Sequence, residues 1–286
     1  MNLSVSESVK IFIGVVLFNQ DEEEFNNTIV SLKNSFENLS KEFVSELNLL
    51  IKWNSQESFD ISRVCDMHQI NFIKIQGTYN VGFGEAHNLM MQKAFEIDDS
   101  YYLCLNPDGF LHPFCLLNLI RFSKEMNSPA LIEAIQFPKE HPKPYDPFTG
   151  ITSWCSGACL LISSQLYKLI GCFDKNIFMY CEDIDYSWRV RRAGFECYTC
   201  SSALFFHDVS EQKSSLIRKM MLESARYLAF KWSAPGFQSE MERQLIESKF
   251  YPTKEYLPPI KEVKERIPSS GIQEWRQLLS FSIPRW

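Results

Sequence analysis

"IFIGVVLFNQDEEEFNNTIVSLKNSF", residues 11–36, sets the pattern that decides the fold. Residues 11–18 are an unbroken apolar run rich in β-branched side chains, the pattern of a strand buried on both faces. A polar segment follows, and then Phe25, Ile29, Leu32 and Phe36 recur at three- and four-residue spacing, which predicts an amphipathic helix. Further along, "LNLLIKW" (47–53), "INFIKIQ" (70–76) and "YYLCLN" (101–106) read as strands, with a helical "GEAHNLMMQKAFEI" between the last two. Strands alternating with helices predict a parallel sheet with crossover helices. Residues 1–106 therefore read as a nucleotide-binding α/β half.

The second half is less regular. Residues 133–150 are rich in proline and charge, and they predict an irregular or edge segment. A strand at 158–162 leads into a short helix that stops near Gly171. "DIDYSWRVRRAGF" reads as a helix with Gly194 as its stop, and "CYTCSSALFFHD" brings another strand up to His207. A long helix follows at 214–232, and the tail beyond it is punctuated by proline. The expected organisation is an α/β domain over 1–210 and a helical extension over 211–286.

Composition narrows the function. With 45% hydrophobic residues among 286, the chain can bury a sizeable core. A net charge of -6 speaks against nucleic acid as a partner. Nine scattered cysteines, an odd number flanked mostly by apolar residues, read as reduced thiols of a cytosolic protein. The lone CxxC at 197–200 lacks the second pair that structural zinc would need. The run at 11–18 is too short to span a bilayer and is not preceded by a basic leader. These features predict a cytoplasmic protein, soluble or peripheral at the membrane.

Ligands of open α/β sheets bind at the carboxyl ends of the strands. Three polar clusters fall there: "FNQDEEE" after the first strand, "NPDG" (106–109) after the fourth and "FFHD" (205–208) after the last. Each alone reads equally as a turn, and His207 alone as a satisfied buried histidine. A fourth acidic cluster, Glu182, Asp183 and Asp185, follows the aromatic "NIFMY" and would also suit a helix start.

In this order the motifs resemble the glycosyltransferase family 2 enzymes, which have the GT-A fold. That fold is a Rossmann-like α/β/α sandwich on a mostly parallel central sheet. The resemblance is carried by "VVLFNQDEEEFNNTIVSL", "NVGFGEAHN" (80–88), "LNPDG" (105–109), "SGACLLI" (156–162), "GCFDKNIFMYCEDIDYSWRVRRAGF" (171–195) and "ALFFHD" (203–208). It covers residues 10–232, and within the family it looks most like the bacterial rhamnosyltransferase branch that builds cell-surface polysaccharide.

The resemblance implies sugar transfer from a nucleoside diphosphate donor, dTDP-rhamnose or a UDP-sugar, to a glycan or lipid-linked glycan. It implies a divalent cation, Mg²⁺ or Mn²⁺, held by Asp108 and His207 against the diphosphate. The family's Asp-x-Asp motif falls on Asn106–Pro107–Asp108, so its first acid is replaced by a neutral amide. Asp183 matches the general base, which takes the acceptor's proton and predicts inversion. Glu182, Tyr180 and Trp154 are expected on the acceptor side, with Trp154 and Ser156 otherwise a platform in the core. Asp185 falls four residues before Arg189, the spacing of a helix-surface ion pair.

Phe18, Asn19, Asn54, Asn80, Gly82, Gly84, Asn106 and Asp108 are expected on the donor side, with Asn88 a further candidate. The two glycines would let backbone approach a ligand closely. Trp53 stands where the family usually has an acid, and it reads either as a stacking platform for the base or as a core residue. Helix 214–232 and "EWRQLLSFSIPRW" mix basic, aromatic and apolar residues. They suit either a membrane interface or packing on the catalytic domain. Two other classes remain: a nucleotidyltransferase, for which the basic Gly-rich loop is missing, and a non-catalytic sugar-nucleotide or glycan-binding module that kept the fold.

Overall fold

The computed structural model describes residues 7–97, 99–141, 143–207, 214–263 and 266–267. The run read as the first strand is β1 (Ser8–Leu17), followed by α1 (Glu22–Leu39), β2 (Val44–Trp53), α2 (Ile61–Met67) and β3 (Phe72–Ile75). Next come α3 (Phe83–Ala94), β4 (Ser100–Leu105), β5 (Phe110–Leu111), α4 (Cys115–Glu125) and β6 (Leu131–Phe137). The second half adds β7 (Ile151–Thr152), β8 (Cys159–Ser163), α5 (Ser164–Ile170), α6 (Glu182–Arg192), β9 (Cys197–Phe206), α7 (Ser215–Lys231) and α8 (Pro235–Glu247).

One sheet runs in the order β3-β2-β1-β4-β8-β6-β9-β5, with β7 paired to β9. β3, β2, β1 and β4 are mutually parallel, the predicted nucleotide-binding half. β8 runs antiparallel to both β4 and β6, and β6 runs parallel to β9. Two reversals restore the original direction, so β9 ends on the same edge as β1 and β4. The three polar clusters therefore share one rim.

Alternation along β1 builds the layers. Ile11, Ile13 and Val15 face a core with Phe25, Ile29 and Leu32 of α1 and Leu116, Leu119 and Ile120 of α4. Phe12 points the other way, to Met90 and Met91 of α3, Leu166 of α5 and Tyr186 and Val190 of α6. The result is an α/β/α sandwich. Gly14 faces this second core, where a Cβ would lie 1.7 Å from the Tyr102 hydroxyl. The nine cysteines are free thiols, seven of them buried.

Two expectations fail. Residues 133–137 are not irregular or edge: β6 lies between β8 and β9, and the irregular part starts only at Pro138. Glu133 and Gln136 broke the apolar pattern because both are buried polar residues with internal partners. The stretch after 232 is also more regular than its prolines suggested, since Pro235 opens α8 at a position where its missing N–H costs nothing.

Helix α7 packs on the body. Leu228, Ala229 and Trp232 form a small core with Trp154, Ile184 and Trp188. Of its basic residues, Arg226 pairs with Glu242 and Lys231 is buried against Asp174 and Asp185. This is the packing alternative for residues 214–232; "EWRQLLSFSIPRW" lies outside the described residues.

Candidate active site

A cavity of about 320 Å³ opens at the rim, lined by Phe18 from the end of β1, Asn54 after β2, Asn80, Phe83 and His87 before and on α3, and Asn106 after β4. Phe178, Met179, Leu216 and Met220 close it from the loop before α6 and from α7. Four of the donor-side expectations, Phe18, Asn54, Asn80 and Asn106, thus meet around one space. Asn19 does not line it; its left-handed backbone (φ 49°) turns the chain, and its N–H donates to Ser55 Oγ at 2.9 Å. The acids of "DEEE" are spent on α1: Asp21 caps the helix by accepting from the Glu23 and Glu24 amides.

Two buried polar atoms at this cavity lack partners. Asn54 donates through Nδ2 to the Gly82 carbonyl at 2.9 Å, and its Oδ1 is unpaired. His87 bonds Tyr102 through Nδ1 at 2.7 Å, leaving Nε2 unpaired. Burial depresses the His87 pKa to about 3, so the ring is neutral. His87 was not among the expected site residues; its burial against Tyr102 requires the space at Gly14, a pairing invisible in the linear sequence. Unpaired buried polar atoms cost about 1–3 kcal/mol each.

Trp53 is fully buried and packs edge-on against Phe59 at 5.1 Å, which makes it the core residue of the two readings. The two glycines have an internal reason. A Cβ on Gly82, at φ 85°, would lie 1.9 Å from the Phe178 carbonyl oxygen, and one on Gly84 would meet Phe173 and Glu182 side chains at 3.1 and 3.4 Å. Both allow close packing of the loop before α6 against α3. Asn88 has the same office: it accepts from Phe173 N at 2.8 Å and donates to Phe173 O at 3.0 Å.

Asp183 sits at the start of α6, where its Oδ2 accepts from Gly157 N at 3.0 Å and its Oδ1 from Ile184 N at 2.8 Å. Gly157 separates it from the cavity wall: a Cβ there would lie 3.0 Å from Phe83 and 3.7 Å from Asp183 Cβ. Burial pushes its pKa up to about 6, the two N–H donors pull it back, and the Glu133 charge adds to the rise. Glu182 is buried with Oε2 unpaired, and burial plus the Asp183 charge holds its pKa well above the carboxylate range. The loop enters the helix through Tyr180 and Cys181, both left-handed at φ 67° and 68°, a conformation that costs non-glycine residues about 1–3 kcal/mol each.

Behind Asp183 lies a buried group that the sequence reading missed. Glu133 accepts from Ser156 N at 2.6 Å and Thr199 Oγ1 at 2.5 Å, and it pairs with the buried ammonium of Lys143. Trp154 is 4% exposed beneath Lys143, which stands 5.6 Å over its ring. Trp154 is therefore the core platform, and the acceptor-wall expectation is corrected. Asp185 is corrected too: it does pair with Arg189 at 2.9 Å, but it is fully buried, not on the helix surface.

On the far rim, His207 Nε2 lies 3.3 Å from Asp108 Oδ1. His207 Nδ1 meets Gln136 Oε1 at 3.1 Å, while Gln136 Nε2 donates to Ser156 Oγ at 3.1 Å. An amide oxygen only accepts, so Nδ1 carries a proton there, and Nε2 is the ring atom that faces Asp108. Burial raises the Asp108 pKa, but His207 outweighs it and the net shift is downward. The two residues expected to hold the cation, Asp108 and His207, therefore stand side by side. Among the described residues no third His, Cys, Asp or Glu joins them.

Solved structures share this architecture. GalNAc-T7, crystallised with UDP, GalNAc and Mn²⁺, superposes with a TM-score of 0.60 over 90% of this chain at 13% identity. The chain spans about half (52%) of that protein's length. A mannosyltransferase from Pyrobaculum calidifontis, in complex with GDP-Man and Mn²⁺, gives 0.56 over 85% of this chain and 76% of its own, at 11% identity. The fold is the GT-A fold of these glycosyltransferase structures.

Sequence relatives narrow it. The chain is 25% identical over 247 residues to rhamnosyltransferase WbbL of Escherichia coli (strain K12), covering 71% of this chain and 92% of that one. Over 62 residues it is 36% identical to an N-acetylglucosaminyl-diphospho-decaprenol L-rhamnosyltransferase of Mycobacterium tuberculosis, 22% of this chain and 20% of the relative. No family model matches. These relatives support a family 2-like glycosyltransferase of the rhamnosyltransferase type.

Proposed function

We propose that the chain transfers a sugar, rhamnose from dTDP-rhamnose first and a hexose from a UDP-sugar otherwise, to a lipid-linked glycan in cell-surface polysaccharide synthesis. The observation that carries this is the single rim on which Asp183, the cavity at Asn54 and His87, and the Asp108–His207 pair all stand. The relatives named as rhamnosyltransferases, one of them acting on a decaprenol-linked sugar, support the donor and acceptor classes. Contact of residues 274–286 with a membrane surface belongs to the same proposal.

In this reading the nucleotide occupies the cavity, and its polar edge satisfies Asn54 Oδ1 and His87 Nε2. Asp108 and His207 are the residues that would hold a divalent cation, since a carboxylate oxygen and an imidazole nitrogen are suitable donors for one. Such a cation supplies neutralisation of the charge that grows on the leaving diphosphate. Gln136 orients His207 for that contact by holding its Nδ1 proton. Asp183 removes the acceptor hydroxyl's proton as that oxygen attacks the anomeric carbon. A single displacement with one base gives inversion. The proton ends on Asp183 and the C–O bond electrons on the nucleoside diphosphate.

Thermal shift with UDP, dTDP, GDP, CDP and ADP, each with and without Mn²⁺, identifies the nucleotide, and transfer from the matching sugar nucleotide is then followed by product NMR. One nucleotide stabilising the chain in a metal-dependent way, with an inverted product, is the expected result. Absence of any shift would favour the non-catalytic module instead. Asn54→Ala is expected to weaken the selected nucleotide about tenfold by removing one hydrogen bond of about 1.4 kcal/mol.

A further inference from the structure

Helix α7 is more than a covering element. Its Lys231 ammonium donates to Asp174 Oδ2 at 2.7 Å and to Asp185 Oδ2 at 2.9 Å. These two acids flank the loop that carries Phe178 to Glu182, one at its beginning and one in the first turn of α6. Trp232 Nε1 adds a bond to Asp185 Oδ1 at 3.0 Å. Tyr227 donates to Asp174 Oδ2 at 2.9 Å and receives Asn176 Nδ2 at 3.1 Å. One turn earlier, Ser224 Oγ donates to the Met179 carbonyl at 2.7 Å. From its first turns the same helix sends Leu216 and Met220 into the cavity wall.

We propose that Lys231 is a positioning residue for sugar transfer: by bridging Asp174 and Asp185 it closes the loop before α6 and fixes where Asp183 stands. The inference rests on the reading of Asp183 as base. The loop holds two left-handed residues, Tyr180 and Cys181, immediately before Glu182. Such a segment keeps its shape only where its surroundings over-determine it. α3 fixes it from one side through Asn88 and the Phe83 N–H, which donates to Phe178 O at 3.1 Å. α7 holds the other side through Ser224, Tyr227 and Lys231, and Lys231 ties Asp174 to Asp185, while Arg189 ties Asp185 to the Ile170 and Cys172 carbonyls at the start of the loop. A residue at the end of α7, distant in sequence from every motif of the rim, thereby sets the geometry of the acceptor side.

The test uses the full chain and the variants Lys231→Met, Lys231→Arg and Tyr227→Phe. Hydrogen exchange over 173–185 is read with dTDP-rhamnose and UDP-glucose turnover and with stabilisation by dTDP or UDP in Mn²⁺. For Lys231→Met we expect at least about tenfold faster exchange in that segment, with strands β1 to β4 unchanged. Its kcat should fall about a hundredfold while nucleotide stabilisation persists, and Lys231→Arg should recover most of the loss because it too can span two carboxylates. Unchanged loop exchange in Lys231→Met overturns the proposal. So does faster exchange spread evenly over the chain with nucleotide binding lost in step. If Lys231→Met fails to fold, Tyr227→Phe, which removes one hydroxyl and keeps the ring, decides by the same localised exchange. A wild-type chain that turns over neither donor refutes the catalytic reading, and the exchange pattern still decides whether Lys231 holds the loop.

Discussion

His207 Nε2 and Asp108 Oδ1 stand 3.3 Å apart, with Gln136 fixing the far side of the imidazole. Asn106, the neutral residue in place of an acid, sits beside the cavity and makes its described bond through its backbone N–H to Ala158. In the proposed site, cation affinity would then rest on one carboxylate and one imidazole. Asp108→Ala is expected to abolish the Mn²⁺-dependent part of nucleotide stabilisation, worth about 2.7 kcal/mol at a hundredfold excess of ligand over Kd. Gln136→Leu should weaken it about tenfold or more by freeing the imidazole. Calorimetric titration of Mn²⁺ with nucleotide present checks both; equal affinity in Asp108→Ala would remove the cation site from this rim.

Asp183 must be ionised to accept a proton, and its pKa lies at about 6. The rate kcat/KM should therefore fall about tenfold per pH unit below pH 6 and level off above it. Asp183→Asn should lose about 10²–10⁴-fold in kcat, the usual contribution of a general base, while nucleotide stabilisation persists. A pH-rate profile with the donor saturating checks the first, and single-turnover transfer the second. A flat profile from pH 5 to 8 would assign the proton to another group.

The parallel half of the fold was legible because β1 and β4 are nearly continuous buried runs and α1 carries a clean apolar stripe of Phe25, Ile29 and Leu32. What the sequence concealed is where side-chain chemistry overrides pattern. β6 was hidden by Glu133 and Gln136, polar residues that occupy core positions to serve Ser156, Thr199 and His207. The rim residues could be placed from strand ends, yet the partners that orient them come from across the sheet or from α7. Gly82, Gly84 and Asn88 were recognisable as special, but the packing they serve was not visible in the sequence. Only the packed structure reveals the Phe173–Phe178 backbone that they accommodate.

Glu182 and Asp183 both titrate higher in the folded chain than in the unfolded one. The folded state therefore binds protons more tightly. The associated stability is fully present below the unfolded pKa, about 4.3 for Glu, and is lost as pH rises through the folded values. Glu182→Gln mimics the protonated form at every pH. It is expected to raise stability at pH 8 by about 1–2 kcal/mol, roughly 2–4 °C in Tm per kcal/mol, and to leave it unchanged near pH 4. Scanning calorimetry from pH 4 to 8 measures the difference, and equal losses with pH in both proteins would contradict it.

Gly82 carries the tightest backbone contact at the rim. A methyl group there meets the Phe178 carbonyl oxygen at 1.9 Å, backbone against backbone, on a residue already at φ 85°. Neither partner can yield cheaply, because the Phe83 N–H binds that same carbonyl. Gly82→Ala should therefore cost at least about 2 kcal/mol, combining left-handed strain with displacement of the loop. Gly236→Ala is the control, since no atom lies within 4 Å of its added Cβ and its position is helical. The control should be neutral or stabilising by about 0.4–1 kcal/mol. Chemical denaturation of the two variants side by side gives the comparison, and equal midpoints would mean that the loop before α6 can move away from α3 without penalty.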